Sequence, residues 1–106
     1  MTRAEILDRL AATIEARLKS DPTSSYVASL VAKGHDALLK KVAEEAAETL
    51  LASKDGDKLH LVRETADLWF HCLVLLAWHG IHPAEVLAEL ERREGTSGID
   101  EKNSRR

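Results

Sequence analysis

Between Lys40 and Leu51 the chain reads KKVAEEAAETLL, and between Arg63 and Asp67 it reads RETAD. Both segments carry two acids three residues apart, Glu45 with Glu48 and Glu64 with Asp67. On a helix, that spacing points both carboxylates to the same side. With Leu38 set at zero and each residue turning about 100°, Val42, Thr49 and Ala52 fall within about 40° of it. They define an apolar stripe, and Glu45 falls inside it. Glu48 lies about 60° from Glu45, one turn along. If the two helices pack antiparallel, Glu45, Glu48, Glu64 and Asp67 converge. Four carboxylates in a partly desolvated groove repel one another unless they are protonated or neutralised.

A divalent cation is the economical neutraliser. An all-oxygen ligand set favours a hard ion, Mg²⁺ with Mn²⁺ as substitute. Glutamate followed three residues later by histidine, the pattern of ferritin-like di-iron helices, occurs nowhere in the chain. Mg²⁺ typically keeps waters and shares its ligands with substrate phosphates, so the expected chemistry is phosphoanhydride hydrolysis. Glu45 or Glu48 is the expected acceptor of the water proton. Taken singly, EEAAE and ETAD are ordinary solvated charge runs. Together they say more, because one pair interrupts an apolar stripe and the other sits on an apolar helix.

Other residues offer phosphate contacts. Lys41 sits one turn before Glu45 and can hold a phosphate or a leaving pyrophosphate; the alternative is an ion pair with Glu44 or Glu45. Glu44 points outward, towards Lys40. Arg92, Arg93 and Lys102 flank EGTSGIDE, where Gly95 and Gly98 permit close backbone approach and Thr96 and Ser97 offer donors. His71, one turn after Asp67, reads first as a satisfied core histidine and second as an orienter of a carboxylate. His60, His79 and His82 read as structural or solvated. Tyr26 and Trp69 can stack on a base, with packing the simpler role for Trp69. Ser25 and Lys33 are candidates for the substrate rim.

The elements that must position these groups are all helical, and no strand pattern appears. Thr2 and Glu5 have capping-box spacing, and Ile6, Leu10, Ile14 and Leu18 repeat every fourth residue until Asp21-Pro22. A short second helix begins near Ser24 or Ser25 and stops at Gly34. Asp36 is placed to cap a third helix running to about Ser53. A turn at KDGD leads to a fourth, from about Asp57 to His79, whose apolar residues cover most of its circumference and predict burial all round. Pro83 opens a fifth helix ending near Arg93. The polar tail from Glu94 onward predicts a loop or mobile end. Residues 1–93 thus form one all-α, bundle-like domain, with 94–106 as a tail that can contact substrate. The fourth helix carries more apolar surface than a few short helices cover, which fits completion by dimerisation.

The 106 residues suit one domain with a modest core margin. A hydrophobic share of 44% with 31% charged residues excludes a disordered chain. A formal charge of −3 disfavours broad nucleic-acid binding. The lone Cys72 forms no internal disulfide and reads as a small core residue. The N-terminus lacks a signal-peptide apolar core, and the Leu68–Trp78 run is too short to span a membrane. A cytoplasmic protein without membrane partner is expected.

The acids spell the EExxE…ExxD pattern, which resembles the MazG-type all-α nucleotide pyrophosphatases. The surrounding words SYVASLVAKG, LLKKVAEEAAETLLASKDGD, LVRETADLWFHCLVLLAWHGI and VLAELERREGTSGIDEK are similar to the phosphoribosyl-ATP pyrophosphatase family of histidine biosynthesis, from about Ser24 to Lys102. That resemblance implies a MazG-like fold and Mg²⁺-dependent hydrolysis of phosphoribosyl-ATP to phosphoribosyl-AMP and pyrophosphate. It also implies a homodimer with active sites near the interface, and metal ligands at Glu45, Glu48, Glu64 and Asp67. Some members are fused to the cyclohydrolase that acts next; 106 residues leave no room for it, so a separate cyclohydrolase is expected. Two other readings stand beside this one: a housekeeping nucleoside triphosphate pyrophosphatase, separable by a substrate panel, and a non-catalytic helical interaction dimer. The inward Glu45 speaks against the latter.

Overall fold

The computed structural model describes residues 3–105, and among them every regular element is a helix. A 3₁₀ turn at Arg3–Glu5 leads into α1, Ile6–Arg17. It is followed by α2, Tyr26–Ala32; α3, His35–Asp55; α4, Lys58–Trp78; α5, Pro83–Arg93; and α6, Gly98–Ser104. Thr2, the expected cap of the first helix, lies outside the described residues.

The frame is the α3–α4 hairpin, the most extensive helix pairing in the molecule. Each helix has 21 residues, a length of about 31 Å. Gly56 allows the reversal because its φ of 79° lies in the left-handed region. The Asp57 side chain then accepts from the His60 N–H and caps α4.

The core sits at the end of the hairpin remote from that turn. Ile14, Val27, Leu38, Leu73 and Val74 form its buried centre, with Leu10, Leu18, Val31, Phe70 and Trp78 packed around it. Contributions from α1, α2, the start of α3 and the end of α4 thus meet there. At α2, Ser25 caps the helix by accepting from the Ala28 N–H, so the chain enters the core with its first orphan donors satisfied.

Three expectations need correction. Gly34, not Asp36, is the N-cap of α3; its φ of 99° starts the helix two residues earlier and leaves Asp36 in the first turn, where the helix dipole favours an acid. The polar tail is not a loop. Ser97 caps α6 by accepting from the Asp100 N–H, and the Glu101 carboxylate is buried against arginines. Apolar periodicity could not reveal a helix anchored by charge. Finally, α4 is not buried all round. Leu59, Val62 and Trp69 are 58%, 64% and 61% exposed, and Leu50 and Leu51 of α3 are exposed beside them. The short helices cover only the far half of the hairpin.

Leu38 has no exposed surface and links α3 to the core. Leu38→Ala should lower unfolding free energy by about 2–5 kcal/mol through lost burial and the cavity left behind. Urea titration followed by circular dichroism measures it, with Leu51→Ala, on the exposed face, expected to have little effect on the protomer's fold.

Candidate active site

The acids meet on the hairpin between its turn and its buried end. Oxygens of Glu45, Glu48 and Glu64 lie within 4.8 Å of one another. Thr49 holds the two helices in register beside them, its hydroxyl lying 2.8 Å from the Glu45 carbonyl and 3.2 Å from the Glu64 carbonyl. One hydroxyl therefore ties together the backbones of the two turns that supply the acids.

Glu45 is 5% exposed, as its place in the apolar stripe predicts. One oxygen, Oε1, lies 3.0 Å from Lys41 Nζ. Glu64 Oε1 lies 3.2 Å from His60 Nε2. The second oxygens, Glu45 Oε2 and Glu64 Oε2, are buried with no hydrogen-bond partner among the described residues. Buried carboxylate oxygens in that state are costly, and a cation between them removes the penalty. A shared hydrogen bond with Glu64 and then the charge of Glu45 push the Glu48 carboxyl above its ordinary range. The Lys41 ammonium is held above its ordinary value by its hydrogen bond to Glu45. Glu44 turns to Lys41, at 4.0 Å, rather than to Lys40.

Asp67 is exposed and stands outside this three-acid cluster. Its backbone carbonyl lies 2.6 Å from Nδ1 of the buried His71, and His71 Nε2 lies 2.8 Å from the Tyr26 hydroxyl. His71 is thus a satisfied buried histidine. Tyr26 is half exposed, with its ring edge-on to Phe70 and His71. Burial pushes its phenol up, opposed by Lys41 and seconded by Glu45, Asp67 and Glu44.

Arg92 and Arg93 are engaged elsewhere. Arg92 pairs with Glu89 at 2.7 Å and with Glu101, and Arg93 pairs with Glu89 at 3.1 Å and Glu101 at 3.8 Å. Arg105 lies 3.7 Å from the same Glu101 oxygen. Lys102 is exposed. A cavity of about 230 Å³ between α1, α4 and the start of α5 is lined by Ala11, Leu18, Leu73, Ala77, Ile81 and Pro83, and none of the clustered acids reaches it.

Three participants escaped the sequence reading. His60 carries the i, i+4 spacing to Glu64 that could have found it. Thr49 was assigned only to the apolar stripe, although a hydroxyl inside such a stripe needs an acceptor. Glu101 was not singled out; its spacing to Arg105 is helical, but Arg92 and Arg93 reach it across a non-helical turn.

Among known proteins, the family model described as phosphoribosyl-ATP pyrophosphohydrolase matches residues 7–94. A protein of Chromobacterium violaceum is 67% identical over 102 residues, 96% of this chain and 94% of its own length. One of Nitrosospira multiformis is 66% identical over 106 residues, covering 100% and 88%. One of Azoarcus sp. strain BH72 is 61% identical over 106 residues, covering 100% and 99%. All three bear the name phosphoribosyl-ATP pyrophosphatase.

The arginine cluster has a distinct acid response. Hydrogen bonds from Arg92 and then Arg93 hold the Glu89 carboxyl down to about 2, from an ordinary 4.5. Between those values the native state binds fewer protons than the unfolded chain. The stabilisation is therefore complete above about 4.5 and is lost as pH falls towards about 2. Glu89→Gln should lower Tm modestly at neutral pH, the pair being exposed and screened, and converge on the wild type as pH falls towards about 2, so that the acid-side fall is flattened. Thermal melts across the window check this.

Proposed function

The chain belongs to the phosphoribosyl-ATP pyrophosphohydrolase family, and on that footing we infer that it hydrolyses phosphoribosyl-ATP to phosphoribosyl-AMP and pyrophosphate in histidine biosynthesis. The observation that carries the site assignment is the meeting of Glu45, Glu48 and Glu64 oxygens within 4.8 Å, where Glu45 and Glu64 each keep a buried oxygen without a hydrogen-bond partner among the described residues. Their all-oxygen chemistry fits Mg²⁺, with Mn²⁺ able to substitute. Glu45, Glu48 and Glu64 would hold the ion, and Asp67 joins them from the next turn of α4. The bound ion would neutralise phosphate charge and supply an acidified water.

The chain's own groups do the remainder. Glu48 is the exposed member of the three-acid cluster and so the one open to the groove. That suits it to take the proton from an attacking water, with Glu45 as the alternative acceptor. Lys41 stands one helical turn from Glu45 with its ammonium at the groove, placed to meet phosphate charge. Arg92, Arg93 and Lys102 form the second set of phosphate contacts. A substrate phosphate would compete with Glu101 for the two guanidinium groups.

The functional unit is a homodimer. Leu50, Leu51, Leu59, Val62 and Trp69 are all exposed apolar side chains of the hairpin, and large bare apolar surface marks an interaction site. Among the described residues no helix is long and apolar enough to cross a membrane, and the enzyme works on a small nucleotide in the cytoplasm.

Glu45→Gln should reduce kcat/KM for phosphoribosyl-ATP at least about 100-fold, the scale of losing one preorganised charge contact, and Asp67→Asn should weaken the Mg²⁺ dependence. Pyrophosphate release measures both, and near-wild-type turnover of Glu45→Gln would end the assignment. Trp69→Asp should shift the species seen in sedimentation from dimer to monomer. A wild-type protein that sediments as a monomer contradicts the dimer.

A further inference from the structure

Tyr26 and His71 form a bond between α2 and α4 that the hydrolysis scheme leaves unused. His71 is 5% exposed. Its Nδ1 faces the Asp67 carbonyl at 2.6 Å, and a carbonyl can only accept. The proton of the neutral ring must therefore sit on Nδ1. Nε2 is then an acceptor, and the Tyr26 hydroxyl at 2.8 Å must donate to it. With its only proton committed inward, the phenol oxygen offers nothing but lone pairs outward.

The direction of that outward face follows from its neighbours. Its bond to His71, which itself rests on the Asp67 carbonyl one turn back, anchors the Tyr26 hydroxyl over the part of α4 beyond Asp67. Tyr26 therefore stands towards the core end of the stretch that carries the acids. Along α4, His71 lies seven residues beyond Glu64, about 10 Å. A nucleotide whose phosphates are held at the acid cluster must run its sugar towards one end of the groove. Lys41 and Tyr26 line the end that starts from Glu45. A group that only accepts repels phosphate oxygens and pairs with hydroxyls.

We propose that Tyr26 is a substrate-binding residue that accepts a hydrogen bond from a sugar hydroxyl next to the attacked phosphate, and that His71 is the positioning residue that fixes its polarity. This rests on the hydrolase reading above. It places recognition of the ribosyl part on α2, and it makes the hydroxyl's direction, rather than ring stacking, the contribution of Tyr26.

The test uses Tyr26→Phe, which keeps the ring between Phe70 and His71. With phosphoribosyl-ATP and saturating Mg²⁺, KM should rise about tenfold while kcat stays within about twofold, the size of one lost hydrogen bond. Wild type should bind ATP about tenfold tighter than 2′,3′-dideoxy-ATP, and Tyr26→Phe should bind the two alike. His71→Asn frees the hydroxyl to rotate and should raise KM less than Tyr26→Phe. The double variant should be no worse than Tyr26→Phe alone, because His71 acts through Tyr26. If His71→Asn does not fold, Tyr26→Phe alone decides. An unchanged KM, a retained preference for ATP over the dideoxy form, or no preference in the wild type overturns the proposal. So does a change confined to the Mg²⁺ half-saturation, which would put the hydroxyl on a metal-bound water. The ATP comparison is read by binding. A wild type unable to turn over phosphoribosyl-ATP would thus sink the hydrolase reading without being mistaken for failure of the Tyr26 contact.

Discussion

Like charges held together against their repulsion are the constraint on which this molecule is organised. Glu45, Glu48 and Glu64 bring oxygens within 4.8 Å of one another, and nothing in their own chemistry favours that. The fold imposes it. Leu38, Leu73 and Val74 lock one end of the α3–α4 hairpin into the core, Gly56 closes the other, and the Thr49 hydroxyl stitches the middle. Lys41 and His60 offset part of the repulsion from outside, each taking one oxygen. The oxygens left over point inward. A resident lysine or arginine between them would have satisfied the same electrostatics and closed the site. Leaving them unpartnered keeps the position open to an exchangeable cation, and to the phosphates such a cation brings.

The same hairpin explains why so small a domain leaves large apolar side chains bare. Two helices of about 31 Å are longer than α1, α2 and α5 can cover, and the core fills only the end away from the turn. Val62 and Trp69 of α4 lie in the uncovered half with Leu50 and Leu51 of α3. Glu48 and Glu64 lie on the same stretch of the hairpin as these side chains. A second copy covering the bare half would also narrow the approach to the carboxylates, excluding water from one side of the groove and strengthening every charge interaction inside it. In the proposed dimer, fold completion and active-site assembly would be one event.

How much of this was legible beforehand depended on which force placed each residue. Helix existence was readable because apolar periodicity and turn chemistry agree. The α5 span from Pro83 to Arg93 follows directly from residue type. Glu45 was readable as inward because it interrupts the stripe shared by Leu38 and Thr49. Burial of α4 was misread, since apolar circumference reports what a helix would like to cover and not what the protomer has available to cover it. The Gly34 start of α3 was missed because a positive φ can serve the end of one helix and the beginning of the next. α6 was missed for a different reason: Ile99 is 75% exposed, and the helix is held by Glu101 among arginines. Hydrophobic pattern carries no information about such an anchor.

Carboxylates are used here in two opposite ways, and the contrast bears on where a cation goes. On α5 and α6, Glu89 and Glu101 have their oxygens occupied by Arg92, Arg93 and Arg105, and the Glu89 carboxyl is held down to about 2. On α3 and α4, acids face acids and Glu48 is pushed the other way. A divalent ion arriving at the first group would have to displace guanidinium partners and gain little. At the second it relieves repulsion and satisfies buried oxygens together. Phosphate experiences the reverse preference: the acid cluster repels it until a cation is present, while the arginines attract it at the expense of Glu101. On the proposed reading a cation would go where the protein's own charges are least well matched, whereas phosphate would reach the arginines only in competition with Glu101.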